Sequence, residues 1–153
     1  MKKNVLIIGK RSFIGSNFYN FLRKKNLKAK SISIESFKKF SIISLSKFDV
    51  IINCSSNKSY VNKKYKLKYD YDLLVAKKIE NLKSKLIIIS TRKIYKPKYN
   101  ISENGQIRPK CNYSKNKLKS EKLVSKILNN RLLILRVANI IGPPKKNKRK
   151  MHK

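Results

Sequence analysis

Four aliphatic residues, Val5 to Ile8, run straight into Gly9, and Gly15 follows inside an apolar stripe of helical spacing made by Phe13, Ile14, Phe18, Phe21 and Leu22. A run this short with no polar alternation predicts a strand buried on both faces, and the 3.6-residue spacing after it predicts an amphipathic helix ending near the basic stretch Arg23 to Lys25. A strand that passes into a helix through a glycine turn commits the chain to crossover connections, hence to parallel pairing. The pattern recurs. Val50 to Asn53, after Asp49, predicts a strand, Leu73 to Leu82 a helix and Leu86 to Ile89 another strand. Tyr113 to Leu128 places Leu118, Leu123, Val124, Ile127 and Leu128 on one helical face, and Leu132 to Val137 is again strand-like before Gly142, Pro143 and Pro144. Between the first two units, Ile32 and Ile34 alternate with serines up to Glu35 and predict a second strand, and Phe40 to Leu45 predicts a short third one. Strands alternating with helices imply a doubly wound parallel α/β sheet covered on both faces.

The chain has 153 residues, the length of one domain, with 40 Lys and Arg against 7 Asp and Glu and a net charge of +33. Its hydrophobic share of 41% supports a packed core in spite of that charge. Such a basic chain fits a binder of nucleic acid or of another polyanion. Composition offers a plainer account: 33 of the 40 basic residues are lysine, alanine occurs 3 times and glycine 4 times, as AT-rich codons would favour. The lysines are also spread from Lys2 to Lys153 rather than gathered in a stripe, except in the tail over residues 145–153. No apolar run approaches the roughly 20 residues of a membrane span, and the run at Val5 is too short for a signal-peptide core, so a soluble, cytoplasmic protein without a membrane partner is expected. Cys54 and Cys111 are far apart and belong to no CxxC or cysteine–histidine cluster, and the single histidine is His152, so neither a disulfide framework nor a metal site is expected.

Two groups of residues carry chemistry. The turn Gly9-Lys10-Arg11-Ser12-Phe13-Ile14-Gly15 places the amides and the positive dipole end of the following helix where a diphosphate fits, with Gly9 allowing the tight turn and Gly15 close packing of helix on strand. Tyr113 and Lys117, four residues apart, share a helical face, and an ammonium near a phenol favours its ionised form. Tyr113 could therefore exchange a proton with a substrate oxygen.

Five segments, in order, resemble the extended short-chain dehydrogenase/reductases, the NAD-dependent epimerase/dehydratase family acting on nucleotide sugars. VLIIGKRSFIGSNF resembles the family's opening with its GxxGxxG motif, and DVIINCSS, residues 49–56, its fourth strand, which ends against the cofactor. LIIISTRKIY, residues 86–95, resembles the fifth strand with its Ser/Thr-rich end. The stretch 102–124 contains a YxxxK, Tyr113 and Lys117, with Glu121 four residues on, and LRVANIIGPP, residues 135–144, resembles the sixth strand with its N-x-x-G-P ending. The resemblance implies a Rossmann-like domain over residues 1–144 followed by a basic tail, 145–153, with Thr91, Tyr113 and Lys117 as catalytic residues. It implies cofactor contacts from Gly9, Arg11, Ser12, Phe13, Ile14, Gly15, Glu35, Ser55 and Lys117, with NAD or NADP as cofactor and a nucleotide sugar as substrate. Glu35, about 20 residues past the turn, would accept the adenosine ribose hydroxyls of NAD. Arg11 stands where some NADP-using relatives pair with the 2′-phosphate, helped by Lys38 or Lys39. Both cofactors stay open.

The departures are specific. Ser12 replaces the middle glycine, Lys96 replaces the glycine that usually follows the Val/Ile-Tyr pair, and Arg92 and Lys93 stand where the dehydratases carry an acidic pair, which favours an epimerase or 4-keto reductase. The family's second lobe, which closes over the nucleotide sugar, has no counterpart in these residues, so turnover by a single chain is not expected. Relatives often dimerise through the YxxxK helix and the one before it, whereas a charge of +33 repels a second copy at low salt. The competing expectation is a non-enzymatic domain that holds nucleic acid or another polyanion on its basic surface.

Overall fold

The computed structural model describes residues 3–142; Pro143, Pro144 and the basic 145–153 tail with His152 lie outside the described residues. Strand β1 (Val5–Ile8) leads through the glycine turn to helix α1 (Phe13–Lys24) and strand β2 (Ala29–Ile32). Two short helices, α2 (Ile34–Lys39) and α3 (Ile42–Leu45), precede β3 (Val50–Asn53). Then come α4 (Ser59–Asn62), α5 (Tyr71–Lys78), β4 (Lys85–Thr91), the long α6 (Asn112–Leu128) and β5 (Leu132–Val137). The five strands form one sheet in the order β2-β1-β3-β4-β5, with parallel pairing throughout. This is the Rossmann-like doubly wound α/β architecture.

Two strand expectations are corrected. β2 ends at Ile32, and Ile34 and Glu35 begin α2 instead, because Ser33 turns the chain and its hydroxyl caps the Ser36 amide at 3.0 Å. Phe40 to Leu45 contains the helix α3 rather than a third strand, for the same reason: Ser41 caps Ser44 at 3.1 Å while Leu45 fills the core and Ile43 stays 77% exposed. Serine caps outweigh the β propensity of so short an apolar run. The helix expected over Leu73 to Leu82 is shifted toward the N-terminus, because Asp70 caps it three residues before the apolar spacing begins.

Leu6, Ile8, Ile51, Leu86 and Ile88 point to one face of the sheet, where Phe37, Leu45, Val75, Ile79, Val124 and Leu128 from α2, α3, α5 and α6 complete the main core. The other face carries Val5, Ile7 and Ile52 under Phe18, Tyr19 and Leu22 of α1. That second layer is incomplete. On the edge strand β5, Leu133 is 52% exposed, so the apolar run that predicted a strand covered on both faces is covered on one.

Asp70 ties α5 to α6. Its buried carboxylate accepts the Leu73 amide at 3.0 Å, the Ser120 hydroxyl at 2.9 Å and the Tyr65 hydroxyl at 2.8 Å. Burial raises its carboxyl above the ordinary aspartate range, and these donors oppose the rise. Asp70→Ala removes the cap and leaves buried donors unmade, so urea denaturation is expected to show a loss of about 2–4 kcal/mol, against much less for Asp70→Asn. Among the described residues no helix is long and apolar enough to cross a membrane.

Candidate functional site

The sheet order creates one crevice by topology alone. From β1 the chain moves to β2 on one side and later to β3 on the other, so the loops leaving the carboxyl ends of β1 and β3 diverge, and open α/β sheets bind ligands in that gap. Gly9 lies there with φ +113°, and a Cβ on it would meet the Cys54 carbonyl carbon at 2.9 Å. A Cβ on Gly15 would stand 2.4 Å from the Gly9 carbonyl oxygen. Only glycine fits at either position, and α1 is thereby pressed against the end of β1.

Ser12, read from the sequence as a departure, caps α1. Its hydroxyl donates to the Gly9 carbonyl and accepts the Gly15 amide, both at 2.9 Å. A helix leaves its first amides without an intrahelical acceptor. Ser12 satisfies that of Gly15, and those of Phe13 and Ile14 remain directed out of the N-terminal end, a cradle for an anion. The last described residue also lies against this turn, since Gly142 sits so near the Phe13 ring that a Cβ would meet it at 2.4 Å.

From β3 a hydrogen-bond chain leads away from the crevice. The Ser55 hydroxyl donates to the Asn53 side-chain oxygen at 2.6 Å, and the Asn53 amide donates to Asp72 at 2.6 Å. The other Asp72 oxygen holds the Lys117 ammonium at 2.8 Å. The Lys117 side chain is 7% exposed and that of Asp72 4%. Burial pulls the Lys117 ammonium toward deprotonation, but the charge and hydrogen bond of Asp72 more than offset it and its pKa lies above the ordinary lysine value, with Tyr113 and Asp70 adding to the rise. Tyr113 is half-buried one turn before Lys117 on α6.

One turn further along α6, buried Glu121 accepts the Ser90 hydroxyl and the Arg136 guanidinium, the latter at 2.7 Å. This locks α6 to β4 and β5 beside Thr91. Thr91 is buried at the carboxyl end of β4 and accepts the Lys93 amide at 3.2 Å, which leaves its hydroxyl proton free to donate elsewhere. Next to it opens a cavity of about 570 Å³ whose lining includes Arg92, Lys93, Tyr95, Tyr99, Cys111 and Ser114. Its cationic character is not distinctive. A cavity of similar size at the amino ends of the strands is lined by Arg23, Lys28, Lys30 and Lys47.

The structure thus gathers Gly9, Ser12, Phe13, Ile14, Gly15 and Ser55 at the crevice and joins Ser55 to Lys117 through Asn53 and Asp72. Glu35 lies on the exposed start of α2, three residues past Ile32, whose carbonyl accepts the Gly9 and Lys10 amides; Lys38 holds its carboxylate at 2.9 Å, and Arg11 is exposed in the turn. Asp72 and Asn53 escaped the sequence analysis. The usable signal was the scarcity of acidic residues: Asp70 and Asp72 are two of only seven, placed together at a helix start.

Three solved structures show what this fold is similar to. A dTDP-4-dehydrorhamnose reductase from Clostridium acetobutylicum is 22% identical, with a TM-score of 0.69 over 87% of this chain and 52% of that one. A dTDP-4-dehydrorhamnose reductase from Bacillus anthracis in complex with NADP is 18% identical, with a TM-score of 0.71 over 90% and 54%. A UDP-glucuronic acid 4-epimerase from Bacillus cereus in complex with NAD is 21% identical, with a TM-score of 0.67 over 92% and 57%. The chain spans about half the length of the solved structures it matches. Comparison with curated proteins by sequence finds no match. The sequence profile of the RmlD substrate binding domain family matches residues 2–152, nearly the whole chain, and this places the protein in that family.

Proposed function

We propose that this chain is the dinucleotide-binding half of a nucleotide-sugar 4-keto reductase or epimerase of the extended short-chain dehydrogenase/reductase type. The observation that carries the reading is the glycine-only contact between the ends of β1 and β3 at the N-terminus of α1, where a side chain on Gly9 or Gly15 would strike backbone. Those residues fit the group. The amides of Phe13 and Ile14 would hold the diphosphate, Ser55 would line the crevice from β3, and Lys117 would donate to the nicotinamide ribose. A bound nicotinamide dinucleotide supplies hydride exchange with the sugar carbon. The chain's own part is to move a proton at the Tyr113 phenol and to orient the sugar oxygen with the Thr91 hydroxyl. Arg92 and Lys93, which cap the end of β4 with cations, favour reduction or epimerisation over elimination.

The test is NADH and NADPH binding by fluorescence quenching or calorimetry at moderate salt, with polyphosphate as competitor. At least one dinucleotide is expected to bind and to resist displacement, because backbone amides in a fixed cradle depend on salt far less than a field of surface lysines does. The preferred dinucleotide assigns the adenosine ribose contact to Glu35 if it is NADH and to Arg11 if it is NADPH. Binding that polyphosphate abolishes would replace this reading with a polyanion-binding surface.

A further inference from the structure

Seven acidic residues face 40 basic ones in this chain, yet three of the seven, Asp70, Asp72 and Glu121, are buried around α6. An excess of lysine from composition does not bury carboxylates, and each is costly to desolvate unless its oxygens are met. Asp70 is engaged in capping α5 and Glu121 in joining α6 to β4 and β5. Asp72 has neither task. One of its oxygens faces Asn53 at the carboxyl end of β3 and the other faces Lys117, so it bridges the crevice and the YxxxK helix.

We propose that Asp72 is the positioning residue of the cofactor site: its carboxylate fixes the Lys117 ammonium at the end of β3 and, through Asn53, in register with Ser55. The proposal rests on the dinucleotide reading above. A lysine has a long, freely rotating stem, and holding it in one place before the ligand arrives removes an ordering cost from binding. Four groups face Lys117: Asp72 and Asp70 from the α5 side, Tyr113 from its own helix, and the Tyr60 ring of α4 at 5.7 Å. Asp72 is the one that hydrogen-bonds it among the described residues. With that carboxylate neutralised, burial acts against the ammonium with only the weaker charges of Asp70 and Tyr113 opposing. Lys117 then gives up its proton at a lower pH than in the wild type.

The experiment measures dinucleotide affinity from pH about 6 to about 10 for the wild type, Asp72→Asn, Lys117→Met and the double variant, with thermal unfolding in parallel. Asp72→Asn is expected to weaken binding about tenfold near neutrality and progressively more as pH rises, where the wild type stays flat. In the Lys117→Met background the same change is expected to alter affinity less than about twofold, and the double variant to melt higher than Asp72→Asn alone. A purely structural role would lower the melting temperature and leave the affinity of the folded protein and its pH profile unmoved, which overturns the proposal. Should Asp72→Asn not fold, Asp72→Glu keeps the charge but displaces it: weaker binding with a flat profile supports the proposal, and wild-type affinity overturns it. A wild-type chain that binds neither dinucleotide overturns the cofactor reading itself, and the role of Asp72 with it.

Discussion

A chain carrying Gly15→Ala is expected to bind dinucleotide at least about 100-fold more weakly than the wild type and to lose about 2–3 kcal/mol of stability. The added methyl would sit 2.4 Å from the Gly9 carbonyl oxygen and 2.8 Å from the Ser12 hydroxyl. The nearest atom is backbone, so no rotamer change relieves the contact. Relief requires α1 to move away from β1, which breaks the Ser12 bridge and carries the Phe13 and Ile14 amides out of line with the crevice. Titration with NADH or NADPH and urea unfolding read the two effects separately. Gly9→Asp is expected to act on the same site by a second route, because φ +113° strains any side chain and a carboxylate there repels a diphosphate. Wild-type affinity in both variants would place the dinucleotide elsewhere.

Tyr113→Phe is expected to lower kcat about 10²- to 10⁴-fold on a nucleotide 4-ketosugar, assayed with the chain in a complete enzyme that turns over, while the affinity for dinucleotide stays near wild type. The variant is a clean probe. Tyr113 is half-buried and makes no hydrogen bond among the described residues, so deleting its oxygen leaves no buried partner unpaired. Its charge partner, Lys117, keeps its own anchor at Asp72. Matched melting curves for wild type and variant would show that the fold is intact. Full turnover by Tyr113→Phe would remove the acid/base assignment and leave the cofactor site untouched.

The elements that the sequence made legible are those in which local and tertiary demands agree. β1, β3, β4 and β5 are aliphatic runs with no competing local hydrogen bonds, and they were read to within a residue or two. α1 and α6 are long enough for their apolar stripe to show. The segment from Ser33 to Leu45 was misread because its pattern is too short to separate a period of 2 from one of 3.6. There the choice fell to two serine hydroxyls, each capping an amide three residues on. Ser12 was legible only as a departure, for a related reason. A motif comparison registers that a glycine is missing, whereas the structure shows the serine bridging Gly9 and Gly15.

By itself the sequence determined the α/β alternation, the parallel sheet and the two positions in the turn where glycine stands, because these follow from the spacing of apolar residues and from backbone sterics that act over a few residues. Tertiary structure alone decided which polar groups meet: that Asp72, 45 residues from Lys117 along the chain, holds its ammonium, and that Glu121 takes Ser90 and Arg136. It also decided that Glu35 lies on an exposed helix turn with Lys38 and that β5, apolar throughout its first four residues, is an edge strand with one face partly open. The reason is the range of the forces. Periodicity and capping are set by neighbours in sequence, whereas the partner of a buried charge is set by which elements the sheet order brings together, and desolvation then makes that pairing obligatory.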